Sequence, residues 1–198
     1  MLKRSMARPT EFDRDAAIGK AIEVFADHGY EGSSTADLLA RMGIGRQSLY
    51  GAFGDKKRLF LRALECYNAG SLGEMEAALA AESSPRAAIE AALLAFAAKP
   101  DAAPQTGCLG VGSVAEFGRA DPEINAINDA AAQRFKAAFA ARLADGVAAG
   151  EFASDLDPQT SAEFLLTVRS GLKIAARDGA DLDRLRSTAR LAMRGLEA

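Results

Sequence analysis

GIGRQSLYGAFGDKK, residues 43–57, packs a glycine turn, a short helix, an outward tyrosine and two lysines into one compact stretch. That order of parts is the DNA-facing end of a helix-turn-helix. Just upstream, Ser34 and Asp37 have the three-residue spacing of a capping box, which opens a short helix whose apolar face is Leu38, Leu39 and Met42. Gly43 ends it, because glycine tolerates the left-handed conformation of a tight helix-to-helix turn, and Ile44 tucks into the core as the chain reverses. The next helix is expected over 46–52, with Leu49 and Phe53 inward at i and i+4. Arg46, Gln47, Ser48 and Tyr50 then face out. Arginine suits the N7 and O6 edge of guanine, glutamine suits adenine, and hydroxyls suit phosphates. Lys56 and Lys57 follow at the start of a long helix, where a cation opposes the helix dipole, so a phosphate opposite them accounts for their position.

Residues 12–60 resemble the DNA-binding domain of the tetracycline-repressor (TetR) family of bacterial transcription regulators. The resemblance rests on the amphipathic first helix (Ala17, Ile18, Ala21, Ile22, Phe25), the His28-Gly29-Tyr30 stop, the Ser34-Thr35 pair, and Leu49-Tyr50 followed by Phe53 and Lys56. It implies that Thr35, Tyr50 and Lys56 clamp phosphates of double-stranded DNA while Arg46, Gln47 and Ser48 lie against base edges. The chain departs from many relatives at Gly51 and Ala52, where bulkier side chains are common, so the far end of the recognition helix is expected to make fewer contacts.

The 198 residues are 49% apolar, enough for a true core, and the net charge is -3. The charge is unevenly spread. Residues 1–62 hold 11 Lys/Arg against 8 Asp/Glu, a balance of +3, and the remainder holds 13 against 19, a balance of -6. A basic head on an acidic body turns the head toward DNA. Lys3, Arg4 and Arg8 extend it as an arm reaching an adjacent groove, or form a solvated terminus. Cys66 and Cys108 are too few and too far apart for a disulfide framework or a metal site, which fits a reducing cytoplasm. The sequence has no apolar run of about 18 residues and no signal-peptide pattern, so a soluble cytoplasmic protein is expected, with no membrane and no cofactor.

Helical periodicity continues to the end, broken by turn signals at Ser83-Ser84-Pro85, Lys99 to Pro104, Ala120-Asp121-Pro122, Ala149-Gly150, Asp155 to Pro158 and Asp178-Gly179. The prediction is an all-α chain of about nine helices: a three-helix DNA-binding domain over 1–57 and a helical ligand-binding and dimerisation domain over 58–198. A long helix from Asp55 to about Ala80 joins them. Gly70 and Gly73 in its middle mark either a hinge or close packing on a neighbour. The helix over about 158–177 carries an apolar band wider than one core needs, Leu182, Leu185, Ala189, Met193 and Leu196 follow helical spacing over about 182–196, and pairing both helices with a twofold copy makes a four-helix interface. The family resemblance likewise implies a homodimer. Its recognition helices would stand about 34–36 Å apart, on a near-palindromic operator.

Family resemblance also implies a pocket for a small-molecule inducer where Phe96, Leu109, Val111, Phe117, Phe135, Phe139 and Phe164 gather, with Phe96, Cys108, Phe117, Phe139 and Phe164 as ligand contacts. Aromatics at helical spacing are also what plain core looks like. The run Gly107-Cys108-Leu109-Gly110-Val111-Gly112 opens a helix and is similar to a Gly-Cys-Leu sequence opening helix six in one branch of the family, some members of which sense electrophiles or oxidants. A cysteine in a first helical turn gains thiolate character, and Lys173 is the candidate cation to strengthen it. The alternatives are a small buried hydrophobe at Cys108 and a solvated stripe at Arg169 and Lys173. His28, the single histidine, reads as a helix C-cap. No G-x-S-x-G, phosphate loop or metal spacing is present, and isolated carboxylates such as Glu116 make a poor general base, so an enzyme is not expected. The expected function is a ligand-responsive transcription regulator, a repressor released from its operator by an inducer. A thiol-based sensor using Cys108 and an activator are the alternatives.

Overall fold

The computed structural model describes residues 12–97 and 107–197; the basic positions Lys3, Arg4 and Arg8 and the turn signal over 99–104 lie outside the described residues. Among the described residues there are nine α-helices, one 3-10 turn and no strand. Short side chains open most of them. Asp13 accepts hydrogen bonds from the N–H groups of Asp15 and Ala16 and starts α1 (Arg14–His28). Ser34 and Asp37 close their capping box at the head of α2 (Thr35–Met42). Gly43 then turns the chain in the left-handed region, φ 71° and ψ 31°, its N–H donating to the carbonyl of Leu39 at 3.0 Å, and α3 (Arg46–Phe53) follows. Asp55 caps α4 (Lys56–Ala81), Ser84 caps α5 (Pro85–Leu94), and a 3-10 turn covers Ala95–Ala97. Beyond lie α6 (Leu109–Phe117), α7 (Pro122–Ala148), α8 (Pro158–Arg177) and α9 (Leu182–Arg194). Aspartates and prolines at the starts of α7 and α8 supply a cap and a first helical residue that needs no donor.

Two apolar clusters divide the interior, and α4 serves both. Its first half puts Leu59, Phe60, Ala63 and Leu64 among Phe25 of α1, Leu38 and Met42 of α2 and Leu49 of α3. Its second half puts Leu72, Met75 and Leu79 against α5, α7, α8 and α9. Leu109 of α6 and Ile124 of α7 belong to the first cluster, so the larger body reaches into the helix-turn-helix. An aromatic group marks the join: Phe60 meets Phe25 edge-on at 5.0 Å between ring centroids, Tyr30 at 5.2 Å and Phe117 at 5.7 Å. α4 runs unbroken through Gly70 and Gly73, both exposed, and a Cβ at either would meet nothing within 4 Å. Close packing on a neighbour is therefore not what places these glycines.

Polar ties cross the same join. Glu116, one residue from the end of α6, accepts from the N–H of Tyr30 and of Glu31 at 2.8 Å each, and so clasps the turn between α1 and α2. Gly29 makes room for it, with φ 72° and a position where a Cβ would come within 2.9 Å of the Glu116 carboxylate. Lys57 binds Asp121 at 2.6 Å and Glu123 at 2.9 Å. The sequence reading set Lys57 opposite a phosphate; the start of α7, Asp121-Pro122-Glu123, brings two carboxylates to it instead. The bond to Lys57 holds the Asp121 carboxyl below the usual carboxylate range, so this tie is present at neutral pH and is lost as the pH falls through that lowered value.

Phe60 is 1% exposed and touches aromatic rings from α1, the α1–α2 turn and α6. Phe60→Ala should lower unfolding stability by about 3–5 kcal/mol in urea titrations; a loss below about 1 kcal/mol would contradict this packing.

Candidate nucleic-acid interface and cavity

α3 is anchored by Leu49, 1% exposed, and by half-buried Phe53. Arg46, Gln47 and Tyr50 stand exposed on its outer side, and Ser48 is half-buried beside them. Gly45, its N-cap, has no side chain to bond the first N–H groups, which are left open at the end that carries Arg46, Gln47 and Ser48. Thr35 is half-buried as the first residue of α2. Lys56 is half-buried with its Nζ 4.3 Å from the centroid of the Tyr30 ring, so a cation–π contact fixes it near the end of α3. Gly51 and Ala52 add no bulk, and a Cβ at Gly51 would meet open space.

A cavity of about 370 Å³ lies between α4, α6, α7 and α8. Cys108, the N-cap of α6, lies on its wall, one position before the first helical turn where the sequence placed it. Its Sγ accepts from the N–H of Val111 at 3.4 Å, from the Tyr67 hydroxyl at 3.1 Å and from Lys173 Nζ at 3.6 Å. Lys173 also donates to the Ser71 hydroxyl at 3.0 Å and to the Tyr67 hydroxyl at 3.3 Å. One turn away, the Arg169 guanidinium donates to the same Ser71 hydroxyl at 3.0 Å. Arg169 is 3% exposed and Lys173 8%, so these two cations are interior groups and not a solvated stripe. Burial pushes the Cys108 thiol up, but the Lys173 charge, the Tyr67 hydroxyl and the Val111 N–H together pull harder, leaving it below the ordinary thiol value. Burial brings the Lys173 ammonium down to about 8 against the pull of Cys108, and raises the Tyr67 hydroxyl, which stays a protonated donor.

Of the five side chains named as ligand contacts from the sequence, Cys108 is on the cavity wall. Phe96 lies near it, its ring centroid 5.7 Å from Lys173 Nζ. Phe139 is fully buried in the second core, and Phe117 packs on Tyr30 and Phe60 in the first. Phe164 is 45% exposed on α8. Among the polar side chains of this wall, sequence reasoning missed Tyr67, Asn68, Ser71, Asn128 and Ser170, and it set Arg169 in a solvated stripe. The signal was present as two i, i+4 pairs, Tyr67 with Ser71 and Arg169 with Lys173.

The comparisons with known proteins agree with this layout. Residues 17–63 match the family described as bacterial regulatory proteins, tetR family, and residues 84–192 match the tetracyclin repressor-like C-terminal domain. Among similar proteins, the uncharacterized HTH-type transcriptional regulator YezE of Bacillus subtilis is 35% identical over 91% of this chain and 94% of its own length. The HTH-type transcriptional repressor ComR of Escherichia coli is 31% identical over 98% of this chain and 93% of its own. A solved structure of the TetR family regulator CifR, a cysteine mutant complexed with 26-bp double-strand operator DNA, is 32% identical, covers 96% of this chain and 99% of its own, and superposes with a TM-score of 0.78.

Lys173→Met removes the strongest downward pull on the Cys108 thiol. In a Cys66→Ser background, alkylation of Cys108 by iodoacetamide should then need a higher pH and slow by about an order of magnitude at pH 7. An unchanged rate would show that Lys173 does not set the state of this sulfur.

Proposed function

The chain belongs to the TetR family of bacterial transcription regulators, DNA-binding proteins and not enzymes, and from that premise we propose that it is a homodimeric cytoplasmic repressor released from a near-palindromic operator when a small molecule occupies the cavity. The observation that carries this reading is the reach of α6. Its N-cap, Cys108, is on the cavity wall, and Glu116 near its other end is bonded to the turn that leads into α2. A molecule that displaces the first displaces the second, and with it the orientation of α3. No helix among the described residues is long and apolar enough to cross a membrane.

In this reading Arg46, Gln47 and Ser48 read base edges from the open N-terminal end of α3, and Thr35, Tyr50 and Lys56 hold phosphates. The dimer forms through α8 and α9. Phe164, Thr167, Gly171 and Ile174 make an exposed stripe on α8 at helical spacing, with Phe164 45% and Ile174 56% exposed, and Leu191 of α9 is 60% exposed. Exposed apolar side chains in such a row favour a self-complementary contact. ComR is named a repressor, which supports repression over activation, and CifR has been solved on operator DNA, which supports DNA binding.

The Cys108 geometry favours a second reading, in which the inducer is an electrophile or oxidant. A sulfur bonded by Lys173, Tyr67 and the Val111 N–H is held toward thiolate, the nucleophilic form. Its electron pair would form a bond to the β-carbon of an α,β-unsaturated carbonyl compound as the C=C π pair shifts toward the carbonyl and the α-carbon takes a proton from water, and the adduct would lie in the cavity at the head of α6.

Tyr50→Ala and Lys56→Ala should weaken binding to every duplex in a gel-shift series, whereas Arg46→Ala should cost about 1–3 kcal/mol at one base position and relax discrimination there. Unaltered specificity in Arg46→Ala would remove that residue from base reading. Cys108→Ser separates the two inducer chemistries: if it still leaves the operator on exposure to an electrophile such as iodoacetamide, the thiol reading fails.

A further inference from the structure

Two buried cations line the cavity, and two of its wall residues each carry a covered side-chain N–H group without a partner. Arg169 and Lys173 are nearly fully buried, and the anion within contact distance of Lys173 is the Cys108 sulfur at 3.6 Å. Arg169 leans on the Phe135 ring at 4.7 Å and bonds to Ser71, yet its Nε has no hydrogen-bond partner. The Asn68 amide nitrogen, also on the wall, has none either. Buried charges are ordinarily paired and buried donors ordinarily satisfied. Glu74 acts on both cations through space, and a thiolate at Cys108 balances Lys173. The Arg169 guanidinium remains without an acceptor at its Nε. Every unmet group here is a donor, so the missing partner is an acceptor; a cation would be repelled.

We propose that the cavity binds a small apolar carboxylate, its head taken by Arg169, Lys173 and Asn68 and its tail lying along Val111, Val114 and Phe135. The proposal rests on the reading of this cavity as the effector site and names the chemical class of the effector. A guanidinium edge matches the two oxygens of a carboxylate, and rotation of the Asn68 amide brings a further donor to them. The tail must be short, because about 370 Å³ is near the lower end of the roughly 300–1,000 Å³ of small-molecule sites. Lys173 would be shared between the bound carboxylate and the Cys108 sulfur. Each anion then weakens the other, and by linkage the effect is equal in both directions.

Straight-chain carboxylates from butanoate to octanoate, each paired with the alcohol and the amine of equal length, test this on the full chain by calorimetry and by operator binding. At least one carboxylate should bind about tenfold or more tightly than its alcohol, with the amine weaker still. It should also raise the pH at which Cys108 reacts with iodoacetamide. Arg169→Gln should cut carboxylate affinity by about tenfold and leave alcohol binding unchanged. Asn68→Leu, which leaves both cations in place, should weaken carboxylate binding in the same direction and serves if Arg169→Gln does not fold. Alcohols that bind as well as carboxylates, no binding by any carboxylate, or an Asn68→Leu protein with wild-type affinity would overturn the proposal. A carboxylate that binds with these properties but leaves operator affinity unchanged would uphold the anion site and defeat the effector reading. An alcohol that releases the operator where no carboxylate does would do the reverse.

Discussion

The carboxylate of Glu116 on the backbone N–H groups of Tyr30 and Glu31 is the polar contact that ties α6 of the larger helical body to the turn entering the helix-turn-helix. A carboxylate receiving two backbone donors is among the stronger classes of hydrogen bond, and its geometry fixes both the end of α6 and the entry into α2. From that point the chain runs through Ser34, the capping box and Gly43 to α3, with little slack in between. α6 is nine residues long, about 13 Å at 1.5 Å per residue, so the wall of the cavity and the DNA-reading head are one short rigid element apart. A typical coupling between two sites is about 1–3 kcal/mol, the size of one charged hydrogen bond made or lost.

In the function proposed above this contact acts as a coupling and not only as glue, and the remaining ties bear on how. α4 is common to both apolar clusters, so the head cannot drift away from the body. Lys57 on Asp121 and Glu123, together with the ring of Phe60 between Tyr30, Phe25 and Phe117, keeps the join packed on the α4 and α7 side. α6 is packed into the same join by Leu109 and Phe117, so in the function proposed above a shift at its N-cap is carried along the helix. There the N-cap is a thiol whose partners are Lys173, Tyr67 and the Val111 N–H, on the wall of a cavity. In the proposed function a ligand pressing on this wall moves the near end of the same helix whose far end carries Glu116.

The DNA-facing half of this arrangement was legible in the sequence because its signals are local. A Ser34–Asp37 capping box, a glycine after the last apolar residue of α2 and the inward pair Leu49 and Phe53 each act within one or two turns, and the structure repeats them with bond lengths attached. Proline and aspartate likewise announced the starts of α7 and α8. The cavity was not legible in the same way. Periodicity tells which residues share a helix face but not which neighbour that face meets, so Phe117 and Phe139, alike in sequence, went to two different cores and Phe164 to the surface. Arg169 and Lys173 look like a solvated stripe until α4 supplies Ser71 and Tyr67 opposite them. Lys57 failed for a related reason: its partners lie 64 and 66 positions away and depend on how α7 begins.

Amide hydrogen exchange at Tyr30 and Glu31 tests the coupling most directly, since both N–H groups are the ones that Glu116 holds. The comparison is a Cys66→Ser protein before and after alkylation of Cys108, with operator affinity measured on the same samples. Exchange at these two amides should be faster, and operator binding weaker, once the sulfur carries the adduct. Operator affinity that falls while both amides stay as protected as before would mean that the signal bypasses α6, and would contradict the account.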